Sequence, residues 1–450
     1  MVRPRISRRR LLKQGAAAVA ATTLSAPFVR TARAAGSLTL GLWDHWVPNA
    51  NAACTQLINE WAEKEKVEVK IDYITGQGNK LLLTIAAEAQ AKSGHDVIMM
   101  SNWLPIEHGE LLEPVDDVMA GLFKEHGAIY PAVESYGKFE GKWVGVPSIR
   151  GTLAYCCATR IDHFRQHAGI DIVAMYPPSA PPVKALADAW TWDAFMVAAE
   201  KCHKAGVPFG LPMGSTADTV QWVGSLFTSF GAVLVDAKGN ITARSPEVRQ
   251  ALDYAKRLMA FLPPEVPSWD DASNNKWLVA GKGALIMNPA SAWAVAKRDA
   301  PEIARQIWHH PLPKGPKGRF VAATTYYLAI WKFSKSKAAA KSLIAHMSTR
   351  AAAERLIRAS NGYDLPSFDS MNDFTVWDEQ EPPKGTNSHY PNRPGGDQQF
   401  ALAAAPAPAG IAAQIYSQAI MPKMILRHAQ GESIDKTLDW AVRELEGFAR

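Results

Sequence analysis

Between Ser37 and Met100 the chain reads strand, helix, strand, helix, strand, and few folds accommodate that order. Ser37–Trp43 is the opening strand. Asn49 or Asn51 is expected to cap a helix whose inner face carries Cys54, Leu57, Ile58 and Trp61 at helical spacing. Val67, Val69, Ile71 and Tyr73 alternate with polar residues, the period of a strand with one buried face. Asn79 is expected to cap the helix Leu81–Ala91, Gly94 to close it, and Asp96–Met100 to form a buried strand. Strands joined through helices lie parallel, with right-handed crossovers. Ligands of such sheets bind beyond the carboxyl ends of the strands. The loops Asp44–Asn49, Thr75–Asn79 and Ser101–Trp103 all leave strands at that edge and are expected to converge on one cleft.

A second α/β unit follows. Gly141–Pro147 ends the first, and Leu153–Ala158 reads as the strand that opens the next. Pro177, Pro178, Pro181 and Pro182 mark a surface loop. Thr191 is expected to cap the helix Trp192–Ala205, stopped by Gly206. Helices Val220–Phe230 and Pro246–Phe261 and an apolar strand, Gly283–Asn288, come next. A Pro/Gly cluster from Pro311 to Gly318 signals another crossing. Strand Thr325–Trp331, helix Lys337–Ile357, long polar loops and terminal helices broken at Pro422 complete the chain.

The N-terminus carries an export address. Arg3, Arg5, Arg8, Arg9, Arg10 and Lys13 form a basic region without acids, followed by the small-residue apolar stretch Gly15–Val29. Ala32-Arg33-Ala34 offers a cleavage pattern, so residues 1–34 are expected to be removed and the mature chain to begin near Ala35. Ser7-Arg8-Arg9-Arg10-Leu11-Leu12-Lys13 resembles a twin-arginine signal. Without this segment the charge balance is 41 basic against 43 acidic residues, so the basic character belongs to the precursor and no nucleic-acid partner follows. About 415 residues remain, more than one core accommodates and enough for two domains. The cysteines Cys54, Cys156, Cys157 and Cys202 show no C-x-x-C or haem spacing, and the sequence leaves their pairing open. No cofactor or structural metal is expected. Neither H-E-x-x-H nor G-x-S-x-G occurs, so no enzyme is expected.

Taken in order, several short motifs resemble the family 1 extracellular solute-binding proteins, the group of maltodextrin-binding protein. They are Leu40-Gly41-Leu42-Trp43-Asp44, Ser93–Ile98, Gly141–Pro147 before Ala154–Ile161, and Thr191-Trp192-Asp193. Gly281–Asn288, Leu328–Lys337 and Ile415-Tyr416 extend the match over nearly the whole mature chain; Asn288-Pro289-Ala290 departs from it where the family more often has Gly before Trp. The resemblance implies a periplasmic, monomeric α/β protein with the two-lobed periplasmic-binding-protein fold: doubly wound sheets joined by hinge crossings. Lobe one would combine 35–147 with 312–358, and lobe two 150–308 with 360–450. Crossings are expected at Val144–Thr152, Trp308–Pro313 and near Ser360. The implied partners are a small polar ligand, a sugar or oligosaccharide, and the membrane permease of an ABC importer that reads the closed, liganded shape.

Sugars offer hydroxyls to planar polar side chains and C–H faces to aromatic rings. The candidates in the first unit are therefore Trp43, Asp44, His45 and Trp46, then Gln77, and Asn102 with Trp103. In the second unit they are Asp218, Gln221 and Trp222, then Asn288 and Trp293. Asp44 and Trp293 are expected to touch one ligand from opposite lobes. Two further readings stand beside this one. Tyr326-Tyr327 and His45 would suit a ferric-ion binder, and polyamine or other small solutes suit the same fold. An exported glycoside hydrolase would need a carboxylate pair whose spacing is spatial.

Overall fold

The computed structural model describes residues 36–151, 153–388 and 397–448; the expected signal segment lies outside them. Ser37–Trp43 pairs in parallel with Glu68–Ile74 on one side and Val97–Ser101 on the other. Tyr326–Ile330 and Val146–Pro147 extend this sheet to the order 68–74, 37–43, 97–101, 326–330, 146–147. Tyr326–Ile330 runs antiparallel to Val97–Ser101 and sets Tyr326 opposite Ser101. Leu38, Leu40 and Leu42 bury one face of the central strand. The helix Pro48–Glu65 packs on the sheet through Cys54, Leu57, Ile58 and Trp61, all buried.

A second body holds two further sheets. Ile307–His310, Cys157–Arg160 and Leu285–Met287 form an antiparallel sheet with Cys157–Arg160 in the middle. Gly318–Thr324 pairs in parallel with Gln398–Ala401 and antiparallel with Leu153–Ala154. The helix Ala217–Phe230, almost wholly buried, packs on that strand. The extended run 318–330 thus begins in one body and ends in the sheet of the other. Further on, Phe368 bridges Ile129 and meets Phe123 edge to face beside the first sheet. Soon after, Pro382 accepts a bond from Trp293, and Thr386 one from His309, in the second.

Several expected element ends fall elsewhere, each for a local reason. Neither Asn49 nor Asn51 caps the first helix: it begins at Pro48, whose fixed φ suits a first turn and which has no N–H to satisfy. Asn51 is engaged instead with Asp44 and Arg150. Asn79 precedes its helix with φ 58° and makes no capping bond; the helix ends at Ala91 as expected, closed by Lys92 with φ 49° rather than by Gly94. Thr216, not Asp218, caps Ala217–Phe230, which adds a turn before Val220. Lys337–Ile357 divides into Lys337–Met347 and Arg350–Ala359, because the Thr349 hydroxyl starts a new helix by accepting from Ala352 N. Pro422 sits inside the first turn of Ile420–Ala429, where its missing N–H costs nothing; the break lies at Ala419, φ 51°. All four cysteines are free and buried.

Candidate functional site

The carboxyl ends of two parallel strands lead into a cavity of 240 Å³ between the two bodies. From the first body come Gly76 and Asn79 beyond Glu68–Ile74, Ser101 and Leu104 beyond Val97–Ser101, and Leu81 and Leu82 from the following helix. From the second come Ser215, Thr216, Ala217 and Val220 at the start of a helix, with Asp271. Tyr326 and Tyr416 contribute rings, and Ser417 and Ala419 complete the lining.

Tyr326 stands where the chain passes from one body to the other. Its ring stacks on Trp43, with centroids 5.1 Å apart and planes 25° from parallel. Gly151 makes room for it: a Cβ there would lie 2.5 Å from the ring, and φ +79° is a left-handed conformation that glycine adopts freely. The Gly151 N–H donates to Asp364 Oδ1 at 2.7 Å, and His45 Nε2 donates to the same carboxylate at 3.1 Å. His45 Nδ1 accepts from Val47 N, which fixes the tautomer. Burial holds the His45 pKa below its ordinary value even though Asp364 opposes this. Arg150 braces the same loop by donating to the Trp43 and Ala50 carbonyls and to Asn51 Oδ1.

On the other wall, Asp271 accepts from Asp218 N at 3.2 Å, with Thr216 beside it in the lining. Burial raises its pKa. Asp218 is pushed well above the carboxylate range, by burial first and the neighbouring Asp271 charge second. It accepts from the Tyr155 hydroxyl and from Asn274 Nδ2 at 3.0 Å. Asn274, Asn275, Asn288 and Ser291 continue behind it as a buried hydrogen-bonded chain. Among the described residues, no three or more His, Cys, Asp or Glu side chains gather as a metal centre.

Of the three loops expected to converge, Thr75–Asn79 and Ser101–Trp103 reach the cavity wall, Asp44–Asn49 does not, and the expected side chains lie mostly one layer back. Trp43, Asp44, His45 and Trp46 support the cleft rather than line it: Trp43 backs Tyr326, and Asp44 accepts from Asn51 Nδ2 at 2.6 Å. Gln77 is exposed beside the lining residues Gly76 and Asn79. Asn102 is buried, with φ 52°, and its Nδ2 donates to the Tyr416 hydroxyl at 2.7 Å. Trp103 is buried against Tyr136 and donates to Ala403 O. Asp218 and Asn288 belong to the network behind Asp271, and Gln221 donates to Thr324. Trp222 donates to Pro212 O inside the core. Trp293 has no exposed surface, its Nε1–H donates to Pro382 O, and it does not line this cavity opposite Asp44. Tyr327 is likewise a core ring, donating to Val133 O; Tyr326 alone of the adjacent pair faces the cleft.

Sequence reasoning missed Asp271, Ser215, Thr216 and Tyr416 as lining residues. Tyr416 lay in a family-like motif, Ile415-Tyr416, and that was its one signal. Asp271 sits in a loop without periodicity, and only the tertiary fold brings it to the cleft.

Two α/β bodies closing on a small cavity, with the chain passing between them in extended segments, define a two-lobed solute-binding fold. The chain belongs to the bacterial extracellular solute-binding protein family, whose model matches residues 47–354. No curated protein matches it. Among solved structures, the maltose-bound MalE3 of T. maritima is 20% identical, covering 92% of this chain and 99% of that one, with a TM-score of 0.70. The D-mannitol-bound solute-binding protein of Agrobacterium vitis S4 is 20% identical over 92% of this chain and 98% of its own, with a TM-score of 0.67. A laminaribiose-bound sugar transporter protein from Arthrobacter chlorophenolicus A6 is 14% identical over 92% and 99%, with a TM-score of 0.71.

Proposed function

We propose that this protein is the substrate-binding component of an ABC importer, capturing a small polar solute, a sugar, outside the cytoplasmic membrane. The observation that carries the reading is the cavity whose walls come from both bodies, with hydroxyls, one carboxylate and two tyrosine rings facing inward. Such a lining meets hydroxyl donors and a sugar's C–H faces at once. The sugars named in the similar structures support the class without fixing the ligand. Export through residues 1–34, a monomeric state and delivery to a membrane permease belong to the same proposal. No hydrolytic step is part of it.

The lobes would be joined at 147–153, at 324–326 and at 379–382. The pairing of Gly318–Thr324 with Gln398–Ala401 supports a second crossing beyond 308–313. The bridge from Phe368 to Ile129 supports a third beyond Ser360. A ligand touching both lobes favours the closed state by its differential contacts, and shifting a hinge from mostly open to mostly closed takes about 5.5 kcal/mol.

A thermal-shift screen across sugars, polyols, amino acids, polyamines and ferric ion tests the reading. A sugar or polyol at 100 times its Kd should stabilise the protein by about 2.7 kcal/mol. Stabilisation by ferric ion or a polyamine alone would replace the sugar assignment.

A further inference from the structure

One tyrosine of the cavity wall has the direction of its hydrogen bond fixed from behind. Asn102 follows the strand Val97–Ser101, is fully buried, and holds φ 52°. Asparagine is enriched in that left-handed conformation among residues other than glycine. The turn sets Asn102 against Thr325, where the chain passes from one body to the other. Asn102 N donates to Thr325 O at 2.8 Å, and Thr325 N donates to Asn102 Oδ1 at 3.2 Å. A backbone N–H only donates, so the carboxamide oxygen is the end that faces Thr325. The other end, Nδ2, donates to the Tyr416 hydroxyl at 2.7 Å.

Tyr416 lies in the helix Ala409–Ser417 and lines the cavity. A carboxamide nitrogen does not accept, so the Tyr416 oxygen accepts from Asn102 and its own hydrogen is left over. Among the described residues, no acceptor takes that hydrogen. Ser101, Ser215 and Ser417 of the same wall carry hydroxyls that rotate to give or take a hydrogen bond. Tyr416 has no such choice, because its acceptor side is occupied by Asn102 and its donor side is free.

Resting on the sugar reading above, we infer that Tyr416 binds the ligand as a hydrogen-bond donor to a sugar hydroxyl or ring oxygen. Asn102 is the positioning residue that fixes this direction without touching the ligand. Isothermal calorimetry on the mature protein tests the contact with D-glucose, D-mannitol, maltose and laminaribiose. The monodeoxy analogues of the tightest binder follow, with the carba analogue that lacks the ring oxygen if that binder is cyclic. One analogue should bind about fivefold or more weakly than its parent to the unmodified protein, but within about twofold of it in Tyr416→Phe. If every analogue loses the same factor in both proteins, the inference falls while the sugar reading stands. Failure of all four sugars to bind removes both.

The positioning role has its own test. Asn102→Asp keeps an oxygen for Thr325 N but offers Tyr416 an acceptor in place of a donor, which turns the tyrosine hydrogen away from the ligand. At pH 9 the carboxylate is ionised, favoured by these two donors. The variant should then bind the parent sugar about fivefold or more weakly than the unmodified protein. In the Tyr416→Phe background the same substitution should change affinity by less than about twofold. Unchanged affinity in Asn102→Asp at pH 9, or an equal loss in both backgrounds, overturns the role of Asn102. The comparison of analogues in Tyr416→Phe does not depend on Asn102→Asp folding.

Discussion

His309 and His310 are adjacent, fully buried and far from solvent, and burial holds their pKa values down to about 4 and about 3. His310 is satisfied as a neutral ring: Nδ1–H donates to Pro311 O at 3.0 Å and Nε2 accepts from the Thr159 hydroxyl at 2.7 Å. The unfolded chain takes up these protons near the ordinary histidine value of 6.5, and the folded chain does so only near 4 and 3. Stability is thus fully present above about pH 6.5 and is lost as pH falls towards those folded values, by about 1.4 kcal/mol per pH unit for each ring. His45 contributes with the same sign, whereas His95, raised by its bond to Glu88, and Asp218 and Asp271, raised by burial, work in the opposite direction. Urea unfolding at pH 7 and pH 5 should show a loss of about 2 kcal/mol or more at the lower pH. His310→Gln should flatten that dependence, and an unchanged pH dependence in a folded His310→Gln would rule the argument out.

Two helix starts that look alike in the sequence serve different ends. Thr191 caps Trp192–Lys204, its hydroxyl accepting from Ala194 N at 3.2 Å, and plays no part in the cleft. Thr216 caps Ala217–Phe230 by accepting from Thr219 N at 3.3 Å, and it also lines the cavity. Thr191→Ala and Thr216→Ala should each cost about 1 kcal/mol of stability through the lost cap. Only Thr216→Ala should also weaken ligand binding, by a factor of about 3 or more, since a hydrogen bond in the cleft is worth about 1 kcal/mol. Parallel calorimetry and denaturation separate the two effects. Equal affinity in both variants would place Thr216 outside the binding surface.

At the scale of the molecule, function depends on the extended segments between the bodies. The run 318–330 is one of them, with Tyr326 at the point of passage. Gly151, Asp364 and His45 hold Trp43 and Tyr326 together beside it. A ligand that touches Tyr326 therefore touches the joint itself as well as both walls. Small-angle scattering should show a smaller radius of gyration with a saturating, stabilising sugar than without it. An unchanged radius, with the ligand-free protein known to be open, would end the closure mechanism.

The order of elements was legible because periodicity and turn residues act over a few positions. Cys54, Leu57, Ile58 and Trp61 announce a buried helix face wherever the helix packs. The loops that reach the cleft were legible for a related reason, since the carboxyl edge of a parallel sheet is fixed by strand direction alone. Which side chain of each loop points inward is not a local property. Trp103 turns towards Tyr136 and Ala403, whereas its neighbours Ser101 and Leu104 line the cavity. The aromatic-rich loop Trp43–Trp46 became a support because Tyr326, 283 residues beyond Trp43, arrived in front of it. Asp271 became part of the cleft wall through the bond its carboxyl accepts from Asp218 N. The sequence by itself determined two α/β bodies and the edge at which they meet, because these follow from local pattern and chain direction. Only the tertiary structure decided the residues on that edge, because burial on one side of a side chain depends on what a distant segment places against it.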